Sequence, residues 1–282
     1  MSSKAEKDDD MIQDIAPSRL DNSFKNADIR QGDRLLCFDG EGRLLTDTSG
    51  ERIVFPLAEN DEQLSAVYAF SVDDDRYFIV LSEHRDFGAG FEYNGLRQLR
   101  DSFGGKELFA AFTAYHLWRW YSDNIFCGRC GGKLSLHGGE RALVCQECGS
   151  VIYPRINPAV IVGVIKGDSI LVTRYRSGYA HNALVAGFTE IGETLEGTVA
   201  REVMEETGVR VKNIRYYKSQ PWGMAQDMLV GFYCEADGSG EIHMDENELK
   251  YAEWVKREDV VLQPSDISLT NEMMKQFRDG NI

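Results

Sequence analysis

Two cysteine pairs, each with the spacing C-x-x-C, lie near the middle of this 282-residue chain. Cys127 and Cys130 form the first pair, and Cys145 and Cys148 follow after fourteen intervening residues. Two such turns can place four thiolates around one Zn²⁺, and a closed Cys₄ site leaves no open position for catalysis. Two disulfides would need an oxidising compartment, and a redox pair would need a thioredoxin-like βαβ unit, which the flanking sequence does not predict. The spacing therefore predicts a ribbon braced by one structural zinc per chain.

The charge balance restricts the partners of the chain. It has 31 lysines and arginines against 46 aspartates and glutamates, a formal net charge of −15. Such a surface repels polyphosphate, so extensive contact with nucleic acid is disfavoured unless bound cations reverse the field locally. Clustered carboxylates that hold a divalent metal would provide this reversal.

No segment has the character of a targeting signal or a membrane span. Met1–Asp14 is polar and lacks the apolar core of a secretory signal. The longest apolar run, Ala159–Ile165, has the length of one strand, whereas a membrane helix needs about 20 residues. These features predict a cytoplasmic protein with no membrane association.

Changes in sequence character divide the chain into three parts. The predicted domains are residues 1–122, 123–155 and 156–282. The first alternates strand-like runs with turn signals, which predicts a mixed α/β domain of undefined role. Within it, Ala66–Val72 and Tyr77–Leu81 predict a hairpin, and Lys106–Tyr121 predicts a helix with a broad apolar face. The second is the zinc ribbon.

The third domain has a predicted hairpin followed by a glycine-bounded helix. Ala159–Ile165 and Ser169–Tyr175 have the pattern of two strands joined by a short turn. A helix of about 13 residues is predicted to begin at Thr194 and to end at Gly208. The residues predicted to pack on one side of it are Val199, Ala200, Val203 and Met204. An adjacent arc of about 100° carries three carboxylates.

The three carboxylates of that arc are Glu202, Glu205 and Glu206. Like charges at these spacings destabilise a bare helix by roughly 0.2–0.5 kcal/mol per pair, so the group needs solvent or a counter-ion. Oxygen ligands without histidine or thiolate favour Mg²⁺ or Mn²⁺ over zinc. Arg201 lies one turn before Glu205 and can pair with it. Taken alone, the triplet is more typical of a solvated acidic face.

The residues around the triplet change this interpretation. They follow the pattern G-x₅-E-x₇-R-E-V-x-E-E-x-G-V from Gly187 to Val209. This pattern fits every position of the Nudix box, so the chain resembles the Nudix hydrolases of nucleoside diphosphate derivatives. The resemblance implies an α/β/α sandwich with a mixed sheet and metal-dependent hydrolysis of a pyrophosphate bond. The metal ligands that it implies are Glu202, Glu205 and Glu206, with the Gly187 carbonyl as a further ligand and Arg201 beside them.

The segment Ser219-Gln220-Pro221-Trp222 follows the box. It resembles the start of the signature of the NADH pyrophosphatases, a Nudix subfamily that also has a Cys₄ ribbon and an N-terminal domain. The resemblance implies hydrolysis of NAD(H) to nicotinamide mononucleotide and AMP, removal of NAD caps from RNA 5′ ends, and a homodimer. The residues it adds to the site are Glu248 at the metals, Tyr153 and Phe188 as stacking rings, and Gln220 and Trp222 as nucleotide contacts. Trp222 alone is equally compatible with a buried core aromatic.

The next segment departs from the subfamily signature. The signature continues Pro-Phe-Pro-x-Ser, whereas this chain has Gly223-Met224-Ala225-Gln226-Asp227. Loss of two prolines predicts a more flexible loop, and the polar contact of the serine must come from Asp227 or be absent. ADP-ribose and diadenosine polyphosphates therefore remain alternative substrates. The non-enzymatic alternative is a zinc-ribbon protein that only senses a nucleotide.

Overall fold

The structure is a computed structural model that describes residues 11–59, 64–81, 87–176 and 181–282. The strands formed by these residues are β1 Leu20–Asp21, β2 Arg34–Leu36, β3 Leu44–Thr46, β4 Ala66–Val72, β5 Asp75–Val80, β6 Glu92–Asn94, β7 Leu134–Leu136, β8 Leu143–Cys145, β9 Val151–Ile152, β10 Asn157–Lys166, β11 Ser169–Tyr175, β12 Val185–Phe188, β13 Arg210–Trp222, β14 Asp227–Asp237 and β15 Leu249–Lys256. The helices are α1 Leu96–Ser102, α2 Gly105–Asp123, α3 Leu195–Thr207 and α4 Leu269–Arg278, with a 3₁₀ turn at Arg257–Asp259.

The chain divides into two compact units. The N-terminal unit consists of Ile12–Arg155 and Trp222–Gln226. The C-terminal unit consists of Ile156–Pro221 and Asp227–Ile282, together with Met11. The domain boundaries after residues 122 and 155 stay a prediction, and most of the polar start of the chain lies outside the described residues.

The C-terminal unit is built on a six-stranded mixed sheet. The strand order is β13-β14-β10-β11-β15, and β12 pairs with β10. β10 runs parallel to β14 and antiparallel to β11 and β12. The predicted hairpin is confirmed as β10–β11, and the mixed sheet is confirmed as well.

Helices cover both faces of this sheet. Successive side chains of β10 point in opposite directions, so each face of the strand packs against a different helix. Val162 packs in one buried cluster with Val199 of α3. Ile161, its neighbour in sequence, packs in another with Met273 of α4. The unit is therefore the predicted α/β/α sandwich, with β12 and α3 joined by a loop, residues 189–194, that contains Gly192 and Glu193.

The N-terminal unit has a four-stranded sheet in the order β1-β4-β5-β2, the helices α1 and α2, and a separate three-stranded ribbon, β7-β8-β9. The predicted hairpin is confirmed as β4–β5, although its second strand begins at Asp75 rather than Tyr77. The predicted helix is confirmed as α2. Among the described residues, none of the helices combines the length and apolar character needed to span a bilayer.

Candidate active site

Helix α3 begins and ends at the residues that the sequence predicts. The Thr194 hydroxyl accepts a hydrogen bond from the Gly197 amide at 3.1 Å, which caps the first turn. Gly208 ends the helix with φ of 69°, a left-handed conformation that glycine adopts without a Cβ penalty. Both ends are therefore set by local sequence.

The buried face of α3 differs from the prediction. Val199 and Val203 are buried as expected, but Ala200 and Met204 are exposed, so the prediction that they pack is wrong. Glu206 is buried instead, with only 2% exposed, and so are Thr198 and Thr207. The physical reason is that the covered arc of α3 is centred nearer Glu206 and runs from Thr198 to Thr207, so Ala200 and Met204 lie beyond its edge.

Arg201 organises the carboxylates on the exposed side of α3. Its Nη1 donates to Glu202 at 2.7 Å and to Glu205 at 2.9 Å, so the predicted Arg201–Glu205 pairing is confirmed. Its Nε and Nη2 donate to Glu193 at 2.6 and 2.9 Å, and Nη2 also donates to the Phe188 carbonyl. Two of the three predicted ligands on α3 are thus held at one guanidinium nitrogen.

Glu206 carries a carboxylate that has little access to solvent. Burial raises its pKa to about 8, and the charges of Glu202 and Glu248 add to the shift. Burial also raises the pKa of Glu202, with contributions from Glu205 and Glu248. The four glutamates therefore repel one another electrostatically, as groups that converge on one patch must.

Glu248 is far from α3 in sequence but is joined to its end by the backbone. The amide of His243 donates to the Thr207 carbonyl and that of Asp245 to the Glu206 carbonyl, both at 2.8 Å. These bonds satisfy carbonyls that a helix end leaves without intrahelical partners. The Glu248 carbonyl in turn accepts from the Arg176 amide at 3.0 Å. Glu248 itself is exposed beside the cluster.

Gly187 lies under the Glu202 carboxylate. A Cβ at this position would lie 2.0 Å from the Glu202 carboxyl carbon, so only glycine is compatible with the arrangement. The hard carboxylate oxygens, a buried carboxylate without a cationic partner among its described hydrogen bonds, and this cradle have the chemistry that suits a divalent cation. Among the described residues, however, it is the four ribbon cysteines, and not these glutamates, that bring their ligand atoms within 4.8 Å of one another. The carbonyl of Gly187 belongs to β12, which pairs with β10 at Val160.

The four ribbon cysteines come together as predicted. Their sulfur atoms all lie within 4.8 Å of one another. Cys127 and Cys148 are 3.7 Å apart and Cys130 and Cys145 are 3.5 Å apart, with every thiol free. Hydrogen bonding with Ser150 lowers the pKa of Cys148, which favours the thiolate that a metal requires. The group has the composition of a closed structural zinc site.

The residues assigned to the nucleotide differ in exposure. Phe188 and Tyr153 are 54% and 57% exposed, and the Tyr153 hydroxyl donates to Glu140. Gln220 is fully buried, its Nε2 donating to the Ile267 carbonyl and its Oε1 accepting from the Leu269 amide. The side chain is therefore engaged at the start of α4, and its contact with a nucleotide stays a prediction.

The segment that departs from the subfamily signature is anchored within the N-terminal unit. Trp222 packs edge-on against Phe112 of α2, with ring centroids 5.4 Å apart. A Cβ on Gly223 would lie 2.0 Å from the Phe112 carbonyl oxygen, so the chain can approach α2 this closely only with glycine. Arg155 also donates to Gln226. These contacts argue against the predicted loop flexibility and favour the packing role of Trp222.

Two residues that sequence reasoning missed support the cluster. Glu193 accepts from Arg201 and Thr198, and the Arg201 guanidinium lowers its pKa to about 2. Its fixed position in the Nudix box could have identified Glu193 from the sequence. Tyr175 bonds Glu206 through its hydroxyl, at 3.0 Å from Oε1. Nothing in its local sequence marks it, because the contact joins residues 31 positions apart.

Comparison with known proteins gives two family matches and a group of relatives. The profile of the NUDIX domain matches residues 155–277, and that of the NADH pyrophosphatase zinc ribbon domain matches residues 122–153. The NAD-capped RNA hydrolase NudC of Klebsiella pneumoniae is 40% identical over 176 residues, covering 61% of this chain and 67% of that protein. The NudC protein of Salmonella heidelberg is 40% identical over 186 residues, covering 66% and 70%. The chain belongs to the Nudix hydrolase family.

Other similarities cover less of this chain. The NudC protein of Escherichia coli strain SMS-3-5 is 45% identical over 147 residues, 51% of this chain and 56% of that protein. This alignment spans a little more than half of that relative. The crystal structure of a NUDIX hydrolase from Nitrosomonas europaea aligns with a TM-score of 0.48 and 20% identity, over 55% of this chain and 92% of that one. Within this Nudix protein, Gly187–Val209 is the Nudix box and Cys127–Cys148 the zinc ribbon.

Proposed function

We propose that this Nudix protein hydrolyses the pyrophosphate bond of NAD(H) to nicotinamide mononucleotide and AMP, using Mg²⁺ or Mn²⁺. The observation that carries the proposal is the carboxylate cluster of α3, with buried Glu206 at its centre, on a chain that also has the NADH pyrophosphatase zinc ribbon. Relatives named NAD-capped RNA hydrolase support the same substrate class and, with it, removal of NAD caps from RNA.

The residues that would hold the metals are Glu202, Glu205, Glu206, Glu248 and the Gly187 carbonyl. Divalent cations bound there would screen the phosphates and increase the acidity of a water. Arg201 holds the carboxylates of Glu202 and Glu205 in fixed orientation. A carboxylate near the metals would take the proton that the attacking water loses. The P–O bond that breaks leaves the bridging oxygen on one phosphate and the oxygen of water on the other, so both products are monophosphates.

Further parts of the proposal rest on the family. Phe188 and Tyr153 present exposed rings that can stack on the bases of a dinucleotide. A homodimer also follows from the resemblance. The cytoplasmic location rests on the sequence features, and the absence of disulfides among the six cysteines is compatible with a reducing compartment. The net charge of −15 disfavours a strong grip on the body of an RNA but not cleavage at its 5′ end.

The test is hydrolysis of a substrate panel by the purified full-length chain. The panel contains NADH, NAD⁺, ADP-ribose, diadenosine polyphosphates and NAD-capped RNA, each with Mg²⁺ or Mn²⁺, and products are identified by mass. Glu206→Gln is the inactive control. Glu196→Gln is its matched partner, because Glu196 is an exposed glutamate in the first turn of α3, outside the cluster.

The proposal predicts that NAD(H) or NAD-capped RNA gives the highest kcat/KM and releases nicotinamide mononucleotide. Preference for ADP-ribose or a diadenosine polyphosphate would contradict NAD(H) as the substrate but would agree with pyrophosphate hydrolysis as the reaction. Nucleotide binding without turnover by the wild-type protein, under any metal, would instead favour the sensor.

A further inference from the structure

We infer that Tyr175 is a positioning residue for the metal site. Its hydroxyl holds the Glu206 carboxylate and fixes the neighbouring backbone of β12. The inference rests on the proposed function, because it assigns Glu206 to a divalent cation. Tyr175 lies outside the Nudix box, at the end of β11.

The Tyr175 hydroxyl lies between Glu206 and the backbone of Ala186. It is 3.0 and 3.3 Å from the two Glu206 oxygens, and it accepts from the Ala186 amide at 3.2 Å. The Ala186 carbonyl is 3.3 Å away. A phenol has one proton to donate, and the shortest of these contacts is to Glu206 Oε1, so that bond takes the proton.

An irregularity in the sheet brings this side chain to the cluster. β11 and β15 pair with a register shift between Arg174 and Tyr175, so that Tyr175 lies opposite Leu249. The next amide, that of Arg176, donates to the Glu248 carbonyl. One strand end therefore contacts Glu206 through a side chain and Glu248 through the backbone, and bulges commonly redirect side chains next to active sites.

A phenol suits this position because it donates a hydrogen bond without bringing a positive charge. Glu202 and Glu205 share a guanidinium, whereas Glu206 has the neutral Tyr175 hydroxyl. A neutral donor orients the carboxylate without placing a second positive charge where a metal cation would bind. The same hydroxyl fixes Ala186, which precedes Gly187, the residue with the further carbonyl ligand.

The test compares Tyr175→Phe with Tyr217→Phe in the full-length chain. Tyr217 is a matched control, because its hydroxyl also donates to a carboxylate, that of Glu272 at 2.8 Å, in the same unit and outside the cluster. Each purified protein is checked by thermal melting and zinc content. Mn²⁺ is then titrated into it without substrate, and free Mn²⁺ is measured by electron paramagnetic resonance.

We expect the dissociation constant of Tyr175→Phe for Mn²⁺ to be about 10- to 100-fold larger than that of the wild type, the range found when a partner that orients a metal ligand is removed. Tyr217→Phe should bind Mn²⁺ like the wild type. With NADH as substrate, the kcat of Tyr175→Phe should fall at low Mn²⁺ and recover at high Mn²⁺, while KM stays unchanged.

An unchanged Mn²⁺ affinity in Tyr175→Phe, with or without a lower melting temperature, would overturn the inference and assign the hydroxyl a structural role. Failure of Tyr175→Phe to fold would assign it the same role. Absence of Mn²⁺ binding by the wild-type protein would be a different outcome, because it would remove the metal site of the proposed function itself.

Discussion

The Arg201 guanidinium donates to the Glu193 carboxylate through two nitrogens, Nε at 2.6 Å and Nη2 at 2.9 Å. This bidentate bond sets the plane of the guanidinium and leaves Nη1 directed at Glu202 and Glu205. Glu193 therefore acts on the cluster through Arg201, and three carboxylates depend on the orientation of one side chain.

Arg201→Lys should lower activity although it keeps the positive charge. A lysine ammonium is a point charge without the planar fork, so it cannot serve Glu193, Glu202 and Glu205 in the same geometry. We expect kcat to fall about 10- to 100-fold with NADH as substrate, as for other residues that orient metal ligands. Arg210→Lys, an exposed position just after α3, is the matched control and should keep wild-type kcat. Equal activity of the two variants would contradict the role of the fork.

The Nudix box could be predicted from the sequence because its determinants are local. The Thr194 cap, the Gly208 end and the Arg201–Glu205 pair all lie within one helix and its flanks. The depth of burial could not be predicted in the same way. A helical projection gives the angle of each side chain, but the position of the sheet decides that Glu206 is buried and Met204 is exposed.

The burial of Glu206 changes the expected effect of its substitution on stability. Its pKa of about 8 in the folded protein lies above the value of about 4.3 in an unfolded chain, so the folded state favours the protonated form. The free energy of unfolding therefore falls as pH rises from about 4 to about 8, because the unfolded chain loses this proton more readily than the folded protein. If α3 is considered as an isolated helix, Glu206→Gln should change the free energy of unfolding only slightly. The burial of Glu206 instead predicts that Glu206→Gln raises the free energy of unfolding on the order of 2–4 kcal/mol at pH 8.

Glu205→Gln is the comparison that separates stability from catalysis. Glu205 is 60% exposed, so its substitution should leave urea unfolding without added divalent cation unchanged. Both variants should lose at least about a hundredfold in kcat with saturating Mn²⁺, equal to about 2.7 kcal/mol of transition-state stabilisation. If each retained most of the wild-type kcat, the catalytic role of these two α3 carboxylates would be wrong.

The zinc ribbon should hold its metal independently of the carboxylate cluster. We expect about one zinc per chain after extensive dialysis, because a closed Cys₄ site binds tightly. Cys145→Ser should lose the zinc and lower the yield of folded protein, since Cys145 is only 1% exposed within the ribbon. Cys37→Ala, a buried cysteine outside the cluster, should keep the zinc. Freshly purified, reduced protein without zinc would contradict the assignment.

The contacts of the signature segment lay beyond sequence reasoning for a different reason. Gln220 and Gly223 are fixed by partners that lie 47 or more positions away, Ile267 and Phe112. A subfamily signature indicates which residues recur together, but it does not distinguish a nucleotide contact from a packing contact. Only the three-dimensional arrangement shows that the side chain of Gln220 is engaged by the start of α4.

Asp227, which replaces the serine of the subfamily signature, is a buried carboxyl group at the start of β14. It is 5% exposed, its Oδ1 has no hydrogen-bond partner, and Asn157 is the side chain that bonds it. Burial raises its pKa to about 6, above the value of about 3.9 expected in an unfolded chain. The folded state therefore holds the proton more tightly, and stability falls as pH rises from about 4 to about 6.

Asp227→Asn should stabilise the protein, and more so at high pH. The amide keeps the size of the carboxyl group and cannot ionise, so the gain in the free energy of unfolding should be about 1–2 kcal/mol at pH 5 and on the order of 3 kcal/mol at pH 8. Urea unfolding at the two pH values measures it. Asp237→Asn, at the exposed other end of the same strand, should show no such pH-dependent gain. A destabilised Asp227→Asn at pH 8 would mean that the ionised carboxylate makes a favourable contact in the folded protein, and it would restore Asp227 as a candidate for the polar role of the serine that it replaces.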